Sequence, residues 1–454
     1  MDLRPQPPCH GGGRRGARPV RQPSSLLARL RGPALLSLLD QGAVSGFGFL
    51  SGIAAARLVD MEAFGRFALV LIVASVAQAV HNALVTAPLM TLAGSARSPA
   101  RYASAVVAGA VVLAAILALG VAGALSLYFA ARGEAVPLDL VTAAGALTLA
   151  QNLQLTARRL LFVSDSGGAA LVMDLSRAAA FPVAVAILWA LGIPLDAVRL
   201  VDLLALTALA ATLPVLVPRA VEPGRRTVAA AALRHWQMAR WLLPVVLVTF
   251  GQEQLVWILA GASLGDEALG GLRAAQYLVG IVLLMLTATE NVVPTGAGRA
   301  YDTGGEAALR AYLVGVTRRL GLPVGLLLVV MAVPADLWLR LVFGAPYVPY
   351  APCLRWLALG VVFIFLRDMV GQIFRARRRT DVIFRAFAVS LPVSLALIQP
   401  LLARYGATGA AAAVAIGHGA SLLALLAALA RTKTPPATPA QSPSPRPEEG
   451  SPRC

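Results

Sequence analysis

Twelve apolar stretches, each long enough to cross a bilayer as a helix, constrain this chain more than any other feature. They fall at about 34–56, 66–92, 103–131, 138–163, 168–192, 199–218, 241–262, 272–297, 319–342, 350–373, 382–403 and 405–430. At 1.5 Å per residue, each reaches across a hydrocarbon core of about 30 Å. Lipid offers no hydrogen-bond partner to the backbone, so such stretches must satisfy themselves as helices. Only 13% of the residues are charged, about half the share of a soluble domain. The expected fold class is all-α: a polytopic membrane protein with about 12 transmembrane helices.

The net charge of +17 would suit nucleic acid, but membrane proteins gather basic residues in their cytoplasmic loops. With both termini cytoplasmic, 29 of the 39 basic residues fall in inner loops and tails. Seven fall in outer loops: Arg57, Arg66, Arg132, Arg199, Arg273, Arg340 and Arg404. Three fall within spans: Arg177, Arg355 and Arg367. A miscount by one span would reverse half the loops and erase this bias. The expected topology is therefore multi-pass with both ends in the cytoplasm, and no nucleic-acid partner is expected. Residues 1–33, rich in Pro, Gly and Arg, and 431–454, rich in Pro and Ser, read as disordered cytoplasmic tails. Cys9, Cys353 and Cys454 and the four histidines have no spacing suited to a disulfide framework or a metal. No cofactor is expected.

The longest inner loop, 219–240, divides the spans six and six, into an N-lobe at 34–218 and a C-lobe at 241–430. The halves echo each other. Asp60-Met61-Glu62-Ala63-Phe64-Gly65 follows the first span and Asp266-Glu267-Ala268-Leu269-Gly270 follows the seventh. Six spans per half preserve orientation, so a true repeat would be parallel, about an axis along the membrane normal.

Several segments resemble bacterial polysaccharide-biosynthesis flippases. They are Leu39-Asp40-Gln41-Gly42 with Phe49-Leu50 and Ala56-Arg57-Leu58, then Glu62-Ala63-Phe64-Gly65, and Leu264-Gly265 to Arg273-Ala274-Ala275-Gln276. Phe343-Gly344-Ala345-Pro346-Tyr347, Phe374-Arg375-Ala376 and Tyr405-Gly406-Ala407-Thr408-Gly409-Ala410-Ala411 continue the likeness. These flippases belong to the multidrug/oligosaccharidyl-lipid/polysaccharide exporter superfamily. The resemblance spans about residues 34–430. It implies two six-helix lobes around a central cavity, alternating access, a place in the bacterial inner membrane, and a lipid-linked oligosaccharide of O-antigen or exopolysaccharide synthesis as cargo. The family's functional charges vary in position, so none is transferred by motif.

Charges within spans are costly and usually face a cavity or a partner. The candidates are Asp40, Asp174, Arg177, Glu253, Glu290 with Asn291, Arg367 and Asp368. Asp174 and Arg177 are three apart and share a helical face. They form either a structural ion pair or a cavity site at which Arg177 meets a phosphate, which its planar fork suits. Glu253, between Gln252 and Gln254, is either a carboxylate for proton or sodium coupling or a hydrogen-bonded packing residue. Asp40 and Glu290-Asn291 stand near the cytoplasmic face, where Glu290-Asn291 line an inner entrance and Asp40 either lines it too or sits in interfacial water without a role. Arg367 and Asp368 are adjacent and diverge by about 100° on a helix, so one would face the cavity while the other snorkels. Gln78, His81, Asn82, Gln151, Asn152 and Gln154 either join helices or bond glycan hydroxyls.

Three functions compete. The first is a flippase for isoprenoid-pyrophosphate-linked oligosaccharide, with membrane lipids around it. The second is a multidrug or cation antiporter of the same superfamily, whose cavity should be acidic and aromatic. The third is a membrane glycan polymerase or ligase. The short outer loops, with no DxD-like cluster or nucleotide-binding glycine loop, weigh against an enzyme.

Overall fold

The computed structural model describes residues 33–219, 223–289 and 293–431, and no strand occurs among them. Among the described residues thirteen α-helices follow one another: α1 (Pro33–Leu58), α2 (Met61–His81), α3 (Ala87–Leu92), α4 (Pro99–Ala131), α5 (Leu138–Val163), α6 (Gly167–Ala190) and α7 (Ala197–Leu216), then α8 (Arg225–Leu264), α9 (Asp266–Thr289), α10 (Val293–Ala332), α11 (Ala335–Val342), α12 (Ala351–Ala376) and α13 (Thr380–Arg431). A wide π-turn, Asn82–Thr86, joins α2 to α3 in one continuous rod. The two expected tails lie outside the described residues, apart from the helical Pro33 and Arg431.

The twelve expected segments fall in helices where they are described. Among the described residues, eight helical stretches are apolar and long enough to cross a bilayer, and the last, Asp381–Arg431, contains two expected spans. It breaks at Gly406, whose φ of +57° places it in the left-handed region that side chains disfavour. Helix α5 carries the fourth expected span but is less apolar, because Gln151, Asn152 and Gln154 sit in its middle.

Three expectations need correction. The segment 219–240 is not a loop: residues from Arg225 onward belong to α8, one helix of 40 residues. Its alanine-rich sequence has high helix propensity. Ala231, His235 and Ala239, spaced by four, are buried. The expected span 319–342 is two pieces, because α10 stops at Ala332 and Pro334 precedes the short α11; proline cannot continue a helical ladder. The expected inner loop between 297 and 319 is also helical, with a kink at Gly304–Gly305.

Where the N-terminal half (α1–α7) meets the C-terminal half (α8–α13), the most extensive pairing of two helices is α2 along α9, and α8 packs on α2, the π-turn and α4 as well. Here the sequence echo becomes structural. A Cβ at Gly65 would lie 1.7 Å from the Asp266 carbonyl oxygen, and one at Gly270 would lie 2.4 Å from the Met61 carbonyl oxygen. Gly65 and Gly270 are 205 residues apart, as are Met61 and Asp266. Each glycine thus takes the partner's backbone at the position equivalent to its own neighbour. Such mutual exchange is what a two-fold relation between halves requires. Asp60 caps α2, accepting from the Ala63 amide at 2.7 Å. Phe64, fully buried, then stands near Tyr277 and Tyr347 of the other half, with ring centroids 6.3 and 6.1 Å away. One continuous apolar core therefore includes residues of both halves.

At the kink of α10, Glu306 accepts from Arg310 at 2.9 Å and from Arg377, after α12, at 3.0 Å. Burial alone would raise the Glu306 carboxyl, but the bonds from Arg377 and Arg310 outweigh it and hold it below the usual carboxylate range. Two measurements check this framework. Gly65→Ala should force α2 and α9 apart, at a cost of roughly 1–3 kcal/mol, read as a lower melting temperature of the purified protein. The stabilisation from Glu306 should be complete above the ordinary carboxylate range and fade as pH falls through its lowered pKa. Glu306→Gln should melt earlier than the parent at neutral pH, and this gap should close in acid.

Candidate cargo site

Polar cavities follow the inner faces of the helices. In the N-terminal half, α5 and α6 bring Gln151, Gln154, Arg158, Asp174 and Arg177 around a cavity of about 80 Å³, closed on another side by Phe47 of α1. Asp174, on α6, accepts from Gln154 Nε2 at 2.9 Å and pairs with Arg158 Nε at 3.1 Å. The sequence paired Asp174 with Arg177, three residues on. The structure gives Asp174 an ion pair with Arg158 of the neighbouring helix, while Arg177 donates to Gln154 Oε1. The Arg177 guanidinium also lies 4.9 Å from the centre of the Phe47 ring, and its Nε is buried without a hydrogen bond. Two guanidiniums and one carboxylate give this small cavity an excess positive charge.

Between the halves, a cavity of about 230 Å³ is lined by Ser45 and Phe49 of α1 and by Arg273, Gln276 and Tyr277 of α9. Arg273 donates to Gln276 Oε1 at 2.5 Å and lies 5.7 Å from the Tyr277 ring centre. Its Nε, too, is buried and unbonded. Its two described partners are uncharged. Charge counting tallied Arg158 with the inner loops and Arg273 with the outer ones, although the expected segments 138–163 and 272–297 contain them. Both lie inside helices, Arg273 seven residues beyond the start of α9. The signal that could have found Arg273 was its seat within an apolar run, one turn before Gln276 and Tyr277.

Gln276 also borders a cavity of about 340 Å³ in the C-terminal half, with Gln254, Trp257, Arg367, Asp368 and His418. Arg367 bonds the adjacent Asp368 at 3.0 and 3.1 Å, reaches His418 Nδ1 at 3.4 Å, and lies 4.9 Å from the Phe387 ring centre. The sequence expected Arg367 and Asp368 to diverge. Both line the same cavity, because the long arginine side chain curls back to its neighbour's carboxylate. Asp40 falls in α1 and Glu253 in α8, whereas Glu290 and Asn291 lie outside the described residues. His81 is fully buried and bonds Thr156 Oγ1 at 2.9 Å, joining α2 to α5.

A second cluster lies at the end of the bundle where α2 and α9 begin. Asp266, with its side chain 2% exposed, takes Arg66 Nε at 3.0 Å and Arg132 Nη1 at 2.7 Å. Glu62 and Glu134 pair with these arginines in turn, at 2.6 and 2.7 Å. Alongside, Tyr347 donates to the Ala56 carbonyl at 3.2 Å and Arg57 to the Val342 carbonyl at 2.6 Å. One carboxylate of the C-terminal half thus holds two arginines of the N-terminal half and fastens this end.

These features define an all-helical membrane protein whose two halves close over polar cavities. Its fold is the one found in transporters of the MOP superfamily. The chain is similar to the lipid II flippase MurJ in its inward closed conformation, with 13% identity, 87% of each chain covered and a TM-score of 0.68. It is also similar to an inward-facing multidrug resistance MATE family transporter, with 16% identity, 85% of this chain and 93% of that one covered, and a TM-score of 0.63. An outward-facing MATE structure shares 14% identity over 88% of this chain and 94% of the other, with a TM-score of 0.51. No protein-family model and no curated protein matches the sequence.

Asp266→Asn tests the fastening. It takes their shared carboxylate from Arg66 and Arg132, but these are partly exposed and keep Glu62 and Glu134, so the cost is about 1–3 kcal/mol, below that of stranding a fully buried charge. In a background without the native cysteines, a cysteine at Ser45 should react several-fold faster with an impermeant thiol reagent added from the Asp266 side.

Proposed function

We propose that the protein moves an isoprenoid-pyrophosphate-linked oligosaccharide across the bacterial inner membrane by alternating access. The observation that supports this reading is the excess of positive charge, among the described residues, around the cavities of Arg177 and Arg273. Arg177 and Arg273 are inside helices, rest against aromatic rings and bond amides through part of each guanidinium, with Nε left unbonded. A buried guanidinium in such a setting gains strongly from a dianionic partner, because the surroundings screen the attraction little and its fork matches phosphate oxygens. A cavity for cationic drugs would need the opposite excess.

In this reading the N-lobe and C-lobe rock about the α2–α9 contact. The Asp266 cluster closes the outer side, and the bias of basic residues supports cytoplasmic termini. The glycan passes through the cavities, where Gln154, Gln254 and Gln276 offer amides to its hydroxyls, while the lipid chain stays in the bilayer. Carboxylates such as Asp368 and Glu253 are available for proton or sodium coupling. The lipid II flippase MurJ, of similar fold, is consistent with this reading. The chain acts as a transporter in this reading and makes or breaks no covalent bond.

A leaflet assay tests it. Purified protein in liposomes would receive a labelled isoprenoid-pyrophosphate oligosaccharide, and exposure on the far leaflet would be followed in time. The parent should move the lipid, and Arg177→Ala and Arg273→Ala should each slow it at least tenfold. Movement unaffected by both substitutions would remove the phosphate role. Transport of a cationic dye under an ion gradient, with no lipid movement, would establish the antiporter in its place.

A further inference from the structure

A groove of about 620 Å³ runs between α1 and α6, outside the polar path. Leu50, Ala54 and Leu58 of α1 form one wall, and Pro182, Ala186 and Trp189 of α6 form the other. Both sets recur every three or four residues, the spacing of a single helical face, so the walls run side by side. From Phe47 to Leu58 the groove extends about 17 Å at the helical rise, roughly half a bilayer's hydrocarbon core. Its one hydroxyl, Ser51 Oγ, already bonds the Gly48 carbonyl at 3.1 Å. Leu50 and Trp189 are 65% and 74% exposed, so the groove opens sideways toward the surrounding lipid.

Its inner end meets the charged cavity. Phe47 lines both spaces. Arg177 lies 4.9 Å from the centre of that ring, and the next residue, Ala178, already lines the groove. A site with excess positive charge and an apolar channel therefore share one aromatic wall. Such an arrangement fits a molecule with an anionic head and a hydrocarbon tail, head at the arginine and tail in the channel. The channel lies between a single pair of helices and takes one chain, which favours a single-chain lipid over a diacyl one.

We propose that the α1–α6 groove seats the isoprenoid chain of the lipid whose pyrophosphate is held at Arg177. This rests on the flippase reading and adds the path of the tail. The chain leaves sideways between α1 and α6, within the N-terminal half, and the interface between the halves stays free to move. Trp189, at the groove's far end, is suited to the membrane interface.

The test uses the full chain in nanodiscs of zwitterionic lipid, with three probes: a long-chain polyisoprenyl pyrophosphate, inorganic pyrophosphate and phosphatidic acid. Two substitutions fill the groove from opposite walls. Ala186→Trp sits on an exposed face. Gly46→Leu enters open space, since a Cβ there meets nothing within 4 Å. Each should weaken binding of the polyisoprenyl pyrophosphate at least tenfold and leave inorganic pyrophosphate unchanged, whereas Arg177→Gln should weaken both. If the filled-groove variants bind the isoprenoid lipid as the parent does, the groove assignment is overturned, and the flippase reading survives through the Arg177 effect. If they lose inorganic pyrophosphate as well, the substitutions have disturbed the head site and the assignment also fails. If phosphatidic acid binds the parent as tightly and is lost in the same way, the groove holds ordinary bilayer lipid. If only the Arg177 effect is absent, the tail site stands and the head-group reading falls.

Discussion

The close crossing of α2 and α9 is the contact on which the rest of the architecture depends. Two glycines let the helices approach until each backbone touches the other, and no larger residue fits either position. Asp266 stands at this crossing with its carboxylate almost fully buried, so it requires cationic partners. Arg66 reaches it from α2 and Arg132 from the turn that ends α4, both in the N-terminal half. Steric fit and charge neutralisation therefore act at the same place, and together they set how the two halves face each other. Of the polar cavities, the one with Arg273 lies between the halves, while those with Arg177 and Arg367 lie within the N-terminal and the C-terminal half.

Much of the fold is legible in the sequence, because lipid imposes a simple rule. A segment that crosses a membrane must be apolar, helical and about twenty residues long, and the twelve segments announce themselves on that basis. The echo of Asp60–Gly65 in Asp266–Gly270 is legible too, and it marks the contact that joins the halves. Hydropathy says nothing about where a helix continues beyond the bilayer. For that reason the helical course of 225–240 and of the region around Gly304 is not visible in an apolar count. For 225–240 it follows from local propensity and from burial against the N-terminal half, and around Gly304 from packing on α12 and the ion pairs of Glu306 with Arg310 and Arg377.

The candidate site is legible in part. Intramembrane charge singles out Asp174, Arg177, Arg367 and Asp368, and all four border cavities. Pairing is harder to read, because sequence spacing reports neighbours on one helix only. Arg158 reaches Asp174 from the adjacent helix, and no spacing rule within α6 could reveal it. Arg158 and Arg273 were missed because they stand near span ends, where arginine usually marks a loop. Burial separates the two cases, and burial is a property of the assembled bundle.

Helix α8 carries a mechanical consequence. Its 40 residues form a rod of about 60 Å. Near its start, His235 is held by the Tyr102 hydroxyl at 2.7 Å and the Leu84 carbonyl at 3.2 Å, the latter in the π-turn of the other half. Farther along, the same rod packs on α9 and α13. It behaves as a lever pinned to one half and loaded by the other. A tilt of only about 10° about one end would displace the far end by roughly 10 Å over that length. Small yielding at its interior Pro244, where a backbone hydrogen bond is missing, therefore sets how much of any angular change at one face of the membrane reaches the other.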